Sequence, residues 1–323
     1  MLIKKMPESY NFKDNARMNK LTSRLVCVIL LSLPFLFLNY MNPDAIQAKS
    51  KEIVSAEEDS TAGNTRNNSL SINTGSAPII YTNKAFKLGE RLIFKVRYGF
   101  IKAGYAEMKV LSVGENNNQK YYHIQTTARS ASGFDWVYKV RDEVNVFLDY
   151  DRLYPLRFEK KLREGSYKAD LFVDYNHADS IANIEFIRYR DNMKIRKRKN
   201  EIIKIPPYVN DILSAFYLIR NQDLQVGQPI YLTTNEKDKI YDLEIQVYIK
   251  EILEVEAGKF KTIKIEPLLQ DEGIFKSKGR LTVWLSDDQY KIPVKMTTEI
   301  LVGNITTELT EIIGISDLPS KIK

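Results

Sequence analysis

Alternation with period two constrains this chain more than any other feature. Tyr241, Leu243, Ile245, Val247 and Ile249 alternate with Asp242, Glu244, Gln246, Tyr248 and Lys250, the pattern of a strand with one face buried. Leu92, Phe94, Val96 and Tyr98 repeat it against Arg91, Ile93, Lys95 and Arg97, and Ala106, Met108 and Val110 follow. Further runs span Tyr121–Arg129, Tyr138–Leu148, Tyr154–Leu162 and Tyr167–Tyr175, with weaker ones at Ile181–Tyr189 and Lys194–Ile205. Beyond Tyr241–Lys250 come Lys259–Glu266, Arg280–Leu285, Lys291–Ile300 and Ile305–Ile313. Turn residues such as Glu115-Asn116-Asn117-Asn118, Glu164-Gly165-Ser166 and Gly303-Asn304 punctuate them, so the pattern predicts an antiparallel meander.

One segment breaks the period. Val209, Ile212, Leu213, Phe216 and Ile219 have the spacing of one helical face, and Asn210, Ser214, Tyr217 and Asn221 share another. Pro206 and Pro207 precede it, Asn210 or Asp211 supplies the N-cap, and Arg220 complements the last turn. The expected fold is mainly β (α+β): a strongly curved antiparallel sheet or incomplete β-barrel closed by one central helix at 209–221.

The first 48 residues differ from the rest. Leu25 to Leu38 form an apolar run after a basic stretch and before polar residues ending at Ala48, the layout of a secretory signal, with Met18 as a second candidate start. The run is short for a membrane-spanning helix, which needs about 20 apolar residues. Cys27 lies at the beginning of that run rather than at its end, where lipoprotein acylation would fall, so the expected form is exported to the periplasm or cell surface and not a lipoprotein. Cys27 is also the chain's one cysteine, so the exported form has neither a disulfide framework nor a thiol nucleophile. Residues 49–79, rich in Ser, Asn, Thr and Gly, read as a linker. The β-rich domain is expected at 80–316, with a tail at 317–323.

The net charge of +7 comes from 48 Lys and Arg against 41 Asp and Glu, both signs well mixed, which argues against a nucleic-acid partner. The two histidines, His123 and His177, stand in no metal-binding pattern, and neither a phosphate loop nor a Gly-x-Ser-x-Gly elbow is present. No cofactor is expected, and no enzymatic activity. Asp287-Asp288 reads as a turn between strands. Lys194 to Lys199 reads as a solvated edge strand, and otherwise as a site for anionic lipid or polysaccharide. Arg220 falls within the apolar arc of the helix; the reading preferred is a stem lying on the core with its head in water, over a ligand-facing role.

With those residues in place, the chain resembles the exported bacterial proteins known as domain of unknown function 3108. The resemblance rests on Gly89-Glu90, an Ala103-Gly104 turn, Asp211-x-Leu213-Ser214-Ala215-x-Tyr217-x-x-Arg220, Gly258-x-Phe260, and Gly279-x-Leu281-x-Val283-Trp284-Leu285-Ser286-Asp287-Asp288 followed by Ile292-Pro293. It implies a mainly β envelope domain without an established activity. Asp211, Ser214, Tyr217, Arg220, Trp284 and Asp288 are the candidate ligand-binding or structural residues. The expected partner is an amphiphile, lipid or glycolipid, or a glycan held in a cavity of the sheet during envelope assembly. The alternative is a scaffolding protein that contacts another envelope protein.

Overall fold

A computed structural model describes residues 80–136, 138–269, 280–300 and 303–322. The leader and linker expected before residue 80 lie outside them. The strands are β1 (Arg91–Tyr98), β2 (Ile101–Asn116), β3 (Gln119–Ser130), β4 (Arg141–Asp149), β5 (Pro155–Glu164), β6 (Tyr167–Asn176), β7 (Ile181–Tyr189) and β8 (Ile195–Lys204). The helix α1 (Ile212–Arg220) follows. Then come β9 (Ile230–Glu236), β10 (Lys239–Val255), β11 (Gly258–Leu269), β12 (Leu281–Ser286), β13 (Pro293–Glu299), β14 (Asn304–Ile313) and β15 (Lys321–Ile322). The stretch read as a tail folds back here, β15 pairing with β11 and the Ser320 carbonyl accepting the Lys261 N–H at 2.8 Å.

All strands join one sheet in the order β8-β7-β6-β5-β4-β3-β2-β1-β14-β13-β12-β11-β10-β9, with β15 beside β11. Two meanders, β1–β8 and β9–β14, are thus joined where β1 meets β14, and the helix connects their far ends. The expected strongly curved sheet or incomplete barrel is overturned: the sheet is open, neither curled nor closed into a barrel, and its end strands β8 and β9 form no ladder with each other. Closure needs an unbroken ring of strand pairs. The free edge of β9 is instead occupied by Asn210, whose N–H donates to Thr233 O at 3.2 Å and whose carbonyl accepts from Asn235 N at 2.7 Å. The opposite edge, β8, carries Arg196, Lys197, Arg198 and Lys199, all exposed, which oppose pairing with an apolar strand.

The apolar phase of the strands buries one contiguous core, to which Leu92, Phe94, Met108, Ile124, Val146, Ile245, Ile265, Val283, Met296 and Leu309 contribute. Each such side chain adds about 1.5–3 kcal/mol of transfer free energy. A helix of nine residues is too short to persist alone, and burial holds it between β4 and β9. The polar face expected of it does not exist. Ser214 and Tyr217 are buried with Leu213, Phe216 and Ile219, and Asn210 is buried before them. Ser214 tolerates this because its Oγ donates to the Asp211 carbonyl at 3.0 Å.

Candidate functional site

The six candidate residues separate into three places. Arg220 is fully buried, not a stem with its head in water. Its Nη1 and Nη2 donate to Glu90 Oε1 and Oε2 at 2.7 and 2.8 Å, Nη2 also reaches Ala85 O at 3.0 Å, and Nε donates to Tyr290 O at 3.2 Å. Burial works against the guanidinium charge, and the Glu90 carboxylate outweighs it, so the group is held above its ordinary value. Tyr217 stacks beneath, its ring 4.9 Å from the guanidinium carbon and edge-on to Phe86 at 4.8 Å. Asp288 braces the β12–β13 turn that supplies Tyr290: its Oδ1 accepts from Ser286 Oγ and Tyr290 N, both at 2.9 Å, and Oδ2 accepts Ser320 N. Arg220, Tyr217, Asp288 and Glu90 therefore form a clamp tying helix, first strand and C-terminal segment together. Most motifs that carry the family resemblance meet in this clamp.

Asp211 and Ser214 stand at the other end of the helix. Asp211 is the N-cap, Oδ1 accepting Leu213 N at 2.7 Å and Ser214 N at 3.0 Å. Burial pushes its carboxyl up to about 6 against those hydrogen bonds. Trp284 lies apart from both groups, on the outer face of β12. Its Nε1 donates to Glu251 Oε1 at 2.6 Å, with Lys264 and Lys295 over the ring.

A polar cluster inside β4 and β5 was missed by the sequence reading. On β5, Lys160 and Glu164 share the inward phase of Phe158 and Leu162, and on β4 Asp142 shares that of Val144 and Val146. Parity alone marks all three as buried. Lys160 Nζ donates to Glu236 Oε1 of β9 at 3.1 Å, and Tyr175 of β6 donates to Asn235 Oδ1 at 3.0 Å. Asp142 Oδ1 accepts Arg163 N at 2.7 Å, while Oδ2 is buried with no hydrogen-bond partner among the described residues. Burial, then the Asp142 charge, raises Glu164 well above the carboxylate range; burial raises Asp142 to about 6 despite the Arg163 N–H. The pair could hold a proton, but with Asp142 4% and Glu164 5% exposed it offers a substrate no approach. Among the described residues, no group of three or more His, Cys, Asp or Glu is placed to hold a metal.

Above this cluster lies a surface of different character. Because neighbours are antiparallel, the β1–β2, β3–β4, β5–β6, β7–β8 and β9–β10 connections all fall at one end of the sheet. The two-residue turn Gly99-Phe100, with Gly99 at φ +55°, presents Phe100 at 92% exposure. In the adjoining β3–β4 loop, Phe134 and Tyr138 pack on Ala103 and Val140, which turns Trp136 outward at 85% exposure. That loop is braced: Arg141 Nη2 donates to Asp135 Oδ2 at 2.6 Å, Ser130 Oγ donates to Asp135, and Ala131 N donates to Ala103 O at 2.9 Å. Lys139 O accepts Gly165 N at 2.8 Å, coupling it to the next turn. Exposed Lys102, Arg129 and Lys139 lie on or beside these two loops, and Arg190, Met193 and Lys194 are exposed at the β7–β8 turn of the same end. A separate hollow of about 500 Å³ lies at the opposite end, under the returning C-terminal segment, lined among others by Glu256, Ile312, Ile315, Leu318 and Lys321.

No described helix is long and apolar enough to cross a membrane. The family described as "Protein of unknown function (DUF3108)" matches residues 93–310. No protein of curated function matches the chain. Among solved structures it is similar to a beta-barrel-like protein of domain of unknown function DUF1849 from Brucella abortus, with 11% identity, TM-score 0.46, and 71% of this chain and 99% of that chain covered. It is also similar to a Bacteroides fragilis protein described as exported with a YmcC-like fold, at 10% identity and TM-score 0.32, covering 73% and 99%. A Parabacteroides distasonis protein described as a lipoprotein aligns at 10% identity and TM-score 0.32, covering 72% and 98%.

Proposed function

The chain belongs to the DUF3108 family of proteins of unknown function, and from that premise we propose that it is an exported, non-enzymatic envelope protein that docks on a lipid surface through its aromatic-tipped loop end. The carrying observation is the pair Phe100 and Trp136, the two most exposed large hydrophobic side chains among the described residues, on adjoining loops. Holding two such rings in water forgoes about 1.5–3 kcal/mol each, and the hydrogen bonds that brace the β3–β4 loop oppose retraction of Trp136 into the core. Aromatic rings on loops that also carry exposed Lys102, Arg129 and Lys139 suit the headgroup region of an anionic bilayer, the rings entering the interface while the cations meet phosphate. The apolar run Leu25–Leu38 supports export. The amphiphile is met at the surface, because the inner face of the sheet is occupied by the helix and the core.

The test uses the two tryptophans of the chain. With Trp284→Phe, Trp136 reports alone. Vesicles of phosphatidylcholine and phosphatidylglycerol should shift its emission to the blue, and brominated lipid should quench it. Phosphatidylcholine alone should do so weakly, and Phe100→Ser should weaken partitioning by about tenfold or more. An emission unchanged by either vesicle ends this reading.

A further inference from the structure

The hollow at the end of the sheet away from the aromatic loops encloses about 500 Å³, within the range of roughly 300–1,000 Å³ typical of small-ligand sites. The returning C-terminal segment makes it. At Gly314 (φ +84°) the chain leaves β14 so close to Gly89 that a Cβ would stand 2.3 Å from the Gly89 carbonyl oxygen. Further on it is fastened again: Ser320 N donates to Asp288 Oδ2 at 3.2 Å, Ser320 O accepts Lys261 N at 2.8 Å, and β15 pairs with β11. Residues 315–319 thus cross as a strap pinned at both ends, and the hollow lies against it.

The lining divides by chemistry. Ala257 of the β10–β11 turn, Ile312 of β14, and Ile315 and Leu318 of the strap are half-buried, packed on the core and also bordering the hollow. Its charged residues are three carboxylates, Glu256, Glu311 and Asp317, against one ammonium, Lys321. Glu256 is held by Lys95, and the Lys321 ammonium lies 5.7 Å from the centre of the Phe260 ring. Glu311 and Asp317 have no ion-pair partner among the described residues.

We propose that the hollow binds a cationic amphiphile, with an alkyl chain on Ala257, Ile312, Ile315 and Leu318 and an amine met by Glu311 and Asp317. An apolar lining supplies affinity for the chain, and the two unpaired carboxylates select the sign of the head. An anionic head would be repelled. The loop end of the sheet, with its exposed Lys102, Arg129 and Lys139, has the opposite preference, so the two sites are independent.

Titration calorimetry below the micellar range tests this with decyltrimethylammonium, decanoate and tetramethylammonium. Decyltrimethylammonium should bind once per chain, and the other two about tenfold more weakly or less, since one lacks the matching charge and the other the alkyl chain. Glu311→Gln with Asp317→Asn should weaken decyltrimethylammonium about fivefold and remove its advantage over decanoate. Both positions are exposed, so the fold is kept. Phe100→Ser, at the other end of the sheet, should leave decyltrimethylammonium binding unchanged. Absence of decyltrimethylammonium binding, equal binding of decanoate, indifference to the carboxylate pair, or loss of binding in Phe100→Ser would each overturn the proposal.

Discussion

Arg220 and Glu90, 130 residues apart in sequence, meet in full burial through two parallel hydrogen bonds of 2.7 and 2.8 Å. The pair fixes the end of the helix to the start of β1. Removing one partner strands the other charge in the core, so Arg220→Met should cost about 3–5 kcal/mol. The double variant Glu90→Leu with Arg220→Met should recover much of that loss. Urea unfolding of the two single variants and the double provides the cycle, and a neutral Arg220→Met would refute the clamp.

At the other helix end, Asp211→Ala should cost about 0.5–2 kcal/mol through the lost cap, whereas Asp211→Asn keeps the acceptor and should be nearly neutral at neutral pH. Ser214→Ala removes a buried hydrogen bond and should cost about 0.5–1.5 kcal/mol. Phe216→Ala, at a position 7% exposed, should cost about 3–5 kcal/mol. Thermal and urea midpoints check all four.

Asp142, Glu164 and Asp211 hold their protons more tightly folded than unfolded. Their contribution to stability is therefore greatest below the ordinary carboxylate range and is lost as pH rises from about 4 through the folded values, about 6 for Asp142 and Asp211, with Glu164 also raised well above the ordinary range. Glutamine imitates the protonated acid, so Glu164→Gln should gain relative to the parent as pH rises through that window. The comparison is the difference in urea midpoint between parent and variant at about pH 5 and about pH 7.5; a difference independent of pH would show that burial does not raise the Glu164 carboxyl.

Gly104 lies at a bulge where Val96 pairs with Gly104 and Arg97 with Lys102, inside β2 rather than in the turn expected for Ala103-Gly104. A Cβ there would stand 2.3 Å from the Arg129 carbonyl oxygen of β3. Gly104→Ala should therefore cost about 1–3 kcal/mol by forcing the two strands apart, read as a lowered melting temperature with unchanged β-sheet circular dichroism.

The sequence by itself determined the strands and their phases. Ile181–Tyr189 agrees with β7 residue for residue, and the Asp211 cap lies where the helix rule puts it. Those features depend on neighbours a few positions away, which a linear reading contains. Only the tertiary structure decided that Arg220 meets Glu90, that Lys160 meets Glu236, and that Phe100 and Trp136 stand on adjoining loops. It also decided that the sheet stays open, because the Asn210 backbone takes the β9 edge. Period two tells which residues share a face, but a buried charge finds its partner across strands brought together by pairing order, and that order is set by the packing of the whole chain.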